Sequence, residues 1–388
     1  MKRALACSFC IFFLIIGASR AAAADAGLFI PYDGPLQLDP QSVNPALVLR
    51  QRLVTIRFEF LPMTKGQTVV LNLFEDVVLR AVCDSVEANV SDGFVWNGRI
   101  QGQSGSLATF TVSNQTLAGT VAVPPLLYHI RPFRDQVHVI REVRPPALRA
   151  ERSLADTGLS SLEQEVTELV NMEREIENLH PLVWDGALGA AARGHSADMA
   201  QRNYFSHTSL DGRLFHQRIT AAGYAYSTCG ENIAAGYSNA QAVMNGWMNS
   251  PGHRANILSL GFCDIGVGYA YGSASTYGHY WTQDFGRRQG VSACPEVEYT
   301  ITASAGLHGV IEPSGSVRAQ SGANQTFQIT PDAGYRIQDV RVDSVSIGAV
   351  STYTFDSVAA NHSIEATFEA IPRVVKPAPW IPLLLLDE

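Results

Sequence analysis

Gly230-Glu231-Asn232-Ile233-Ala234, then Ser250-Pro251-Gly252-His253-Arg254-Ala255-Asn256-Ile257-Leu258, then Gly266-Val267-Gly268 and Tyr280-Trp281-Thr282-Gln283-Asp284-Phe285-Gly286 decide the fold of the middle of this 388-residue chain. Upstream of them the apolar pattern is helical. Ser160-Ser161-Leu162-Glu163 offers a capping box, in which a hydroxyl and a carboxylate each satisfy a free backbone amide. Leu162, Val166, Leu169, Val170 and Ile176 then share one face. Asp185, just after Trp184, is the N-cap of a second helix with the stripe Leu188, Ala191, Ala192, His195 and Met199. A third helix is expected over 214–222, ended by Gly223, and a fourth over 240–248. Ile265 to Ala270 and Tyr280 to Phe285 read as closing strands. Helices first and strands last predict an α+β unit over 158–288, drawn as an α-β-α sandwich.

The same region holds Leu182-Val183-Trp184-Asp185, His195-Ser196-Ala197-Asp198-Met199-Ala200 and Tyr204-Phe205-Ser206-His207. With Trp247 and the stretches above, in this order, it resembles the bacterial branch of the CAP superfamily of cysteine-rich secretory, antigen 5 and pathogenesis-related proteins. The resemblance implies a central cleft lined by two histidines and two acidic residues, able to take a divalent metal such as zinc. His207 and His253 match the histidines and Glu231 matches one acid. The second acid falls near Ser250, which has no carboxylate; Asp198 is the acidic candidate left in a family motif. Two neutral imidazoles and a carboxylate suit zinc, with water in an open position. His207, His253 and Glu231 are therefore the candidate metal set, and Glu231 the general base if the protein is a hydrolase.

Plainer readings stand beside these. His195 sits on an apolar stripe and reads as a core histidine, and Asp198 as a helix-to-loop hydrogen-bond partner. Glu231 could cap a following element, Arg254 and Asn256 fix the loop after the fourth helix, and Trp184, Trp247 and Trp281 pack the core. Ser206 next to His207 is no catalytic dyad, because sequence neighbours rarely face each other productively.

On the N-terminal side, 25–142 reads as all-β. Val54 to Phe60, Val69 to Phe74, Leu107 to Val112 and His138 to Ile140 alternate between Gly, Asn and Asp breaks. Trp96-Asn97-Gly98-Arg99-Ile100, Ala108-Thr109-Phe110-Thr111-Val112 and Tyr128-His129-Ile130-Arg131-Pro132 resemble the propeptide-like domain of some secreted bacterial metallopeptidases, although no H-E-x-x-H follows. Residues 143–157, with Pro145-Pro146, read as a linker open to proteases and so as a processing site. On the C-terminal side, Tyr299-Thr300-Ile301, Phe327-Gln328-Ile329-Thr330-Pro331, Gly334-Tyr335, Val340-Arg341-Val342-Asp343 and Ala366-Thr367-Phe368 resemble the divergent internalin B-type repeat. That implies a small β-grasp-like module over 296–370, followed by a tail at 371–388.

Lys2, Arg3, the apolar run Cys10–Gly17 and Ala21–Ala24 are the parts of an export leader, cleaved near residue 24. Neither that run nor Trp380–Leu386 is long enough to span a bilayer. The formal charge of −8 and the lack of a basic patch exclude nucleic acid as a natural partner. Four cysteines follow the leader, Cys83, Cys229, Cys263 and Cys294, and sequence leaves three full pairings open. Cys229–Cys263 is favoured because both lie in the central unit; Cys83 and Cys294 are then free or bridge domains. The expected protein is secreted or held in the cell envelope. Its first reading is a binding module, whose cleft takes a metal or a lipid, peptide or cell-envelope ligand. The alternatives are a metal-dependent hydrolase with a removable N-terminal domain, and a surface adhesin.

Overall fold

The computed structural model describes residues 27–88, 93–145, 160–294, 298–320, 323–356, 358 and 361–372. The expected leader, the linker beyond residue 145 with its processing site, and the tail beyond residue 372 lie outside these. The first unit comprises β1 (Phe29–Pro31), β2 (Val48–Ile56), β3 (Thr68–Phe74), β4 (Val77–Ala88), β5 (Phe94–Ile100), β6 (Leu107–Ser113), β7 (Thr116–Val123), β8 (Leu126–Arg134) and β9 (Val137–Val143). They form one antiparallel sheet in the order β1-β2-β9-β8-β7-β6-β5-β4-β3. The strand expected through Phe60 stops at Ile56, and Phe58–Phe60 is a 3₁₀ turn.

This sheet curls until its two edges meet. Leu28 N–H donates to Val70 O at 2.8 Å. The Asn72 amide then spans the gap: Phe29 N–H donates to its Oδ1 at 2.9 Å, and its Nδ2 donates to Phe29 O at 2.7 Å. Inward residues fill the interior, among them Leu71, Leu73, Trp96, Phe110, Leu117, Ile130 and Ile140. Trp96 stacks on Phe110 and donates its indole N–H to Pro62 O. The barrel interior is thus a packed core of side chains.

The central unit contains α1 (Ser161–Ile176), β10 (Val183–Trp184), α2 (Gly186–Arg202), α3 (Phe215–Ala221), β11 (Tyr226–Ala235), α4 (Ala240–Asn249), α5 (Pro251–Ile257), β12 (Asp264–Tyr271) and β13 (His279–Arg288). Ser160 and Glu163 make both halves of the capping box, and Asp185 caps α2 by accepting from Ala187 N and Leu188 N. The sheet runs β10-β12-β13-β11. On β12, Gly266 and Gly268 face α2 so closely that a Cβ would meet the backbone of Gly189 at 2.1 Å and of Ala192 at 2.2 Å. Ile265 and Val267 point the other way, into a core shared with Val166, Val170, Val243, Trp247 and Trp281. Two elements differ from the sequence expectation. Glu231 lies within strand β11 and caps nothing, and Arg254 and Asn256 belong to the short helix α5, not to a loop.

The barrel is fastened to this unit along α1 and α4. Thr111 Oγ1 donates to Ala242 O at 3.1 Å, Asn245 Nδ2 to Thr109 O at 3.0 Å, and Asn249 Nδ2 to Ser113 Oγ at 3.0 Å. Val95 and Ala118 of the barrel join the central core. Arg131 Nε donates to Glu173 Oε1 at 3.0 Å, with the two side chains 4% and 3% exposed. Burial alone would raise the Glu173 carboxyl, but Arg131 and His129 hold it below the ordinary range.

The third unit has β14 (Glu298–Ala305), β15 (Gly309–Glu312), β16 (Gly315–Gln320), β17 (Gln325–Pro331), β18 (Tyr335–Val342), β19 (Val345–Gly348), β20 (Thr352–Phe355) and β21 (His362–Ala370). Among the described residues it contains strands without an α-helix. Two sheets, β16-β14-β21-β18-β19 and β15-β17-β20, enclose Ile301, Phe327, Ile329, Val340 and Ile364. Tyr299 donates its hydroxyl to Glu175 of α1 at 3.1 Å.

The expected Cys229–Cys263 pairing is wrong: Cys263 is bonded to Cys294, and Cys229 and Cys83 are free thiols. Strand order gives the reason. Cys229 and Asp264 both stand opposite Gly286 of β13, on its two sides. Two strand spacings, roughly 9–10 Å, separate them, whereas a bridge needs Cα atoms about 4.4–6.8 Å apart.

Two outcomes follow from this architecture. Cys294→Ser should lower the unfolding free energy in urea by about 3–4 kcal/mol, through the loop closure lost from the unfolded chain, while Cys229→Ser changes little. Glu173→Gln strands Arg131 at a buried seam and should cost about 3–5 kcal/mol. A fall of less than about 1 kcal/mol in the same titration, the range of an exposed pair, would show that the barrel is loosely held.

Candidate functional site

The left-handed backbone of Asn203 (φ 53°) ends α2 and turns the chain into the segment that carries His207. His195, on the buried face of α2, holds this turn: its Nε2 lies 2.9 Å from Ser206 O. Burial pushes the His195 ring below its ordinary pKa, so it is the neutral core histidine that its apolar stripe suggested. His207 itself is half-exposed, and its Nδ1 lies 2.8 Å from Glu231 Oε1.

Glu231 sits on edge strand β11 with its side chain 1% exposed. Its other oxygen accepts from the Arg218 guanidinium, also buried, on α3. Arg218 further donates to His207 O at 2.9 Å, to Ser209 Oγ at 3.2 Å and to Arg213 O at 3.1 Å. Opposite Glu231 in register stands Asp284 on β13, fully buried, its carboxyl oxygens without a hydrogen-bond partner among the described residues. Burial and then the charge of Glu231 push the Asp284 carboxyl well above the usual range.

His253 is carried by a different element. Its helix α5 begins with Pro251, and Ser250 precedes it as N-cap. The backbone O of His253 accepts from Asn232 Nδ2 at 3.1 Å, and Asn256 Nδ2 donates to Asn232 Oδ1 at 2.8 Å. Because alternate strand residues face opposite sides, Asn232 and Gln283 point away from the face that bears Glu231 and Asp284. The His253 ring is half-buried and pushed down to about 4, first by burial and then by the charge of His207.

His253 lines a cleft of about 480 Å³ between the barrel and the central unit. Its barrel wall carries Asn114, Phe133, Arg134 and Asp135; its central wall carries Phe205, Tyr237, Trp247, Asn249, Ser250 and Arg254. A second cavity, about 420 Å³, lies between α2 and α3 and is lined by Asp198, His195, Arg213 and Arg218. Asp198 accepts from the Tyr204 hydroxyl and from Arg202, which is the helix-to-loop role open to it from sequence.

The four residues expected in one cleft are therefore divided. His207 and Glu231 touch, His253 lines the larger cleft, and Asp198 lines the smaller. Among the described residues, the one group of three or more His, Cys, Asp or Glu whose ligating atoms all lie within 4.8 Å of each other is His180, Cys263 and Cys294. His207, Glu231 and His253 are not gathered in that way, and a cation at Glu231 would have to compete with Arg218. As arranged, they do not fit a divalent metal. Arg218 and Asp284 were missed as parts of the site. Asp284 had a signal, a carboxylate alternating in phase with Thr282 on a buried strand; Arg218 had none, because no spacing rule says that a helix side chain will meet Glu231 on the strand that follows.

The low His253 pKa has a defined consequence. The native state binds fewer protons than the unfolded chain between pH 6.5 and 4, so this contribution to stability is complete above 6.5 and declines as pH falls through that window. His253→Gln should flatten that part of the urea midpoint against pH, and the His253 ring resonance should titrate near 4. A ring titrating near the ordinary 6.5 would contradict the burial described.

Comparison with known proteins agrees with two of the three resemblances, those of the central and C-terminal regions. The sequence model of the cysteine-rich secretory protein family, CAP, matches residues 167–285, and that of the divergent InlB B-repeat domain matches 299–372. The uncharacterised protein YkwD of Bacillus subtilis strain 168 is 42% identical over 131 residues, 34% of this chain and 49% of its own. The uncharacterised membrane protein YlbC of the same strain is 35% identical over 126 residues, 32% of this chain and 34% of its own. The chain thus spans about half the length of one relative and a third of the other. Among solved structures, an extracellular protein containing a SCP domain from Bacillus anthracis strain Ames is 21% identical, with 58% of this chain and 87% of that chain covered and a TM-score of 0.32. An outer surface protein of Borrelia burgdorferi is 22% identical, with 34% and 97% covered and a TM-score of 0.31. No helix of the described residues is long and apolar enough to cross a membrane. The chain carries a CAP domain of the cysteine-rich secretory protein family at residues 167–285 and a divergent InlB B-repeat domain at residues 299–372.

Proposed function

We propose that this is a ligand-binding protein that works outside the cytoplasm, and that its binding site is the cleft between barrel and CAP domain. The observation that carries the reading is the make-up of that cleft. Phe133 on the barrel wall and Phe205, Tyr237 and Trp247 on the central wall supply aromatic surface, and His253, Arg134 and Arg254 supply donors, with Asp135 as the one carboxylate. Apolar surface with a few convergent polar groups is the usual form of a small-molecule site. The ligand it suits has an apolar body and an anionic or hydrogen-bond-accepting end. The leader-like first residues and the Cys263–Cys294 bridge support an oxidising, exported setting. Helices on either side of the β10-β12-β13-β11 sheet make the CAP domain an α-β-α sandwich in this reading, and the repeat a module for attachment or presentation.

The metal-dependent hydrolase is the weaker alternative. Its base would be Glu231, which Arg218 and His207 already engage, and its removable N-terminal domain would have to leave a seam of buried hydrogen bonds.

An anionic aromatic dye, anilinonaphthalene sulfonate, tests the cleft. Phe133 and Phe205 face it from opposite walls and are each about a third exposed (36% and 37%). The full chain should bind the dye, and Phe133→Ala with Phe205→Ala should weaken it roughly tenfold or more with an unchanged urea midpoint. Dye binding untouched by the double substitution would remove this cleft as the site.

A further inference from the structure

Away from both cavities, three distant parts of the chain converge. His180 lies between α1 and β10, Cys263 just ahead of β12, and Cys294 between β13 and β14, with their ligating atoms all within 4.8 Å of one another. We propose that His180, Cys263 and Cys294 form a zinc site in the reduced protein, and that the Cys263–Cys294 bridge is the oxidised form of the same clasp.

Two thiolates and an imidazole are a zinc donor set, with water completing a tetrahedron. Zinc–sulfur bonds of about 2.3 Å place the sulfurs roughly 3.8 Å apart, so the two sulfurs of the opened bridge must draw apart to bind the metal. His180 Nε2 lies 3.0 Å from Phe262 O, next to Cys263, and a carbonyl of this kind is the usual partner that fixes the ring of a metal-bound histidine.

The chemistry balances in two steps. A dithiol reductant transfers two electrons and two protons to the bridge, giving two thiols, and itself closes to a disulfide. Zinc then displaces both thiol protons to solvent and binds the two sulfurs and His180. Either closure ties Cys294, after β13, to Cys263, ahead of β12, so this tie outlasts loss of the bridge wherever zinc is present.

Cobalt(II) is the test, used on the full chain with Cys7, Cys10, Cys83 and Cys229 replaced by alanine. After reduction by a phosphine, one equivalent should bind with thiolate-to-cobalt bands in the near ultraviolet, and zinc should bleach them. The unreduced protein should show no bands. His180→Gln should weaken cobalt binding at least about tenfold, and Cys263→Ser or Cys294→Ser should abolish the bands, whereas His207→Ala with His253→Ala leaves them intact. Circular dichroism on the same samples reports the fold. A folded, reduced chain without bands overturns the proposal, as do bands that survive Cys263→Ser, and so does a reduced chain that unfolds, since the site requires the fold to outlive the bridge.

Discussion

Helix α4 is covered on both sides, and the arrangement of the first two units hangs on it. One side gives Val243, Met244, Trp247 and Met248 to the CAP core. The other turns Asn245 and Asn249 toward β6 and β7, where the buried Thr109 and Thr120 answer Asn245 and Ser113 answers Asn249. A helix face of amides is read by hydrogen-bond geometry, which is directional, and so fixes one register where an oily face would allow several. The Arg131–Glu173 pair adds a second fixed point on α1. The cleft lies at the rim of this seam, so its two walls are held in place by the contacts that join the units.

The Glu231–Arg218 pair plays the corresponding part inside the CAP domain. A buried carboxylate is tolerated only with a partner, and Arg218 supplies it while also gripping the carbonyls of His207 and Arg213. The loop that bears His207 is thereby tied to strand β11. The guanidinium bonds Glu231 and not Asp284, which stands in register beside it, and Asp284 is left with the raised pKa that burial and a like charge impose.

Much of this was legible in the sequence. Ser160 with Glu163, and Asp185, mark helix starts through side-chain geometry that involves only neighbours, and both caps form as written. Gly266 and Gly268 could be quoted as a motif, but their purpose, letting α2 lie directly on β12, depends on an element far away in sequence. The same limit explains the errors. Strand β11 was not foreseen because Gly230 and the polar Glu231-Asn232 break its alternation, and both polar residues are satisfied by distant partners. The cysteine pairing went wrong because strand order, with β13 between Cys229 and Cys263, is not written in spacing. His207 and His253 were found by motif, yet the faces onto which they project are set by the pleat of β11 and the course of α5.

Asn72 closes the barrel with a side chain where a strand pair would otherwise be needed. Sheet edges are templates for pairing with other chains, and two of them meet here, at β1 and β3. With the Asn72 amide occupying both polar groups of Phe29, neither edge is offered at that point to a neighbouring molecule. One asparagine thus acts as a guard against self-association as much as a structural bond.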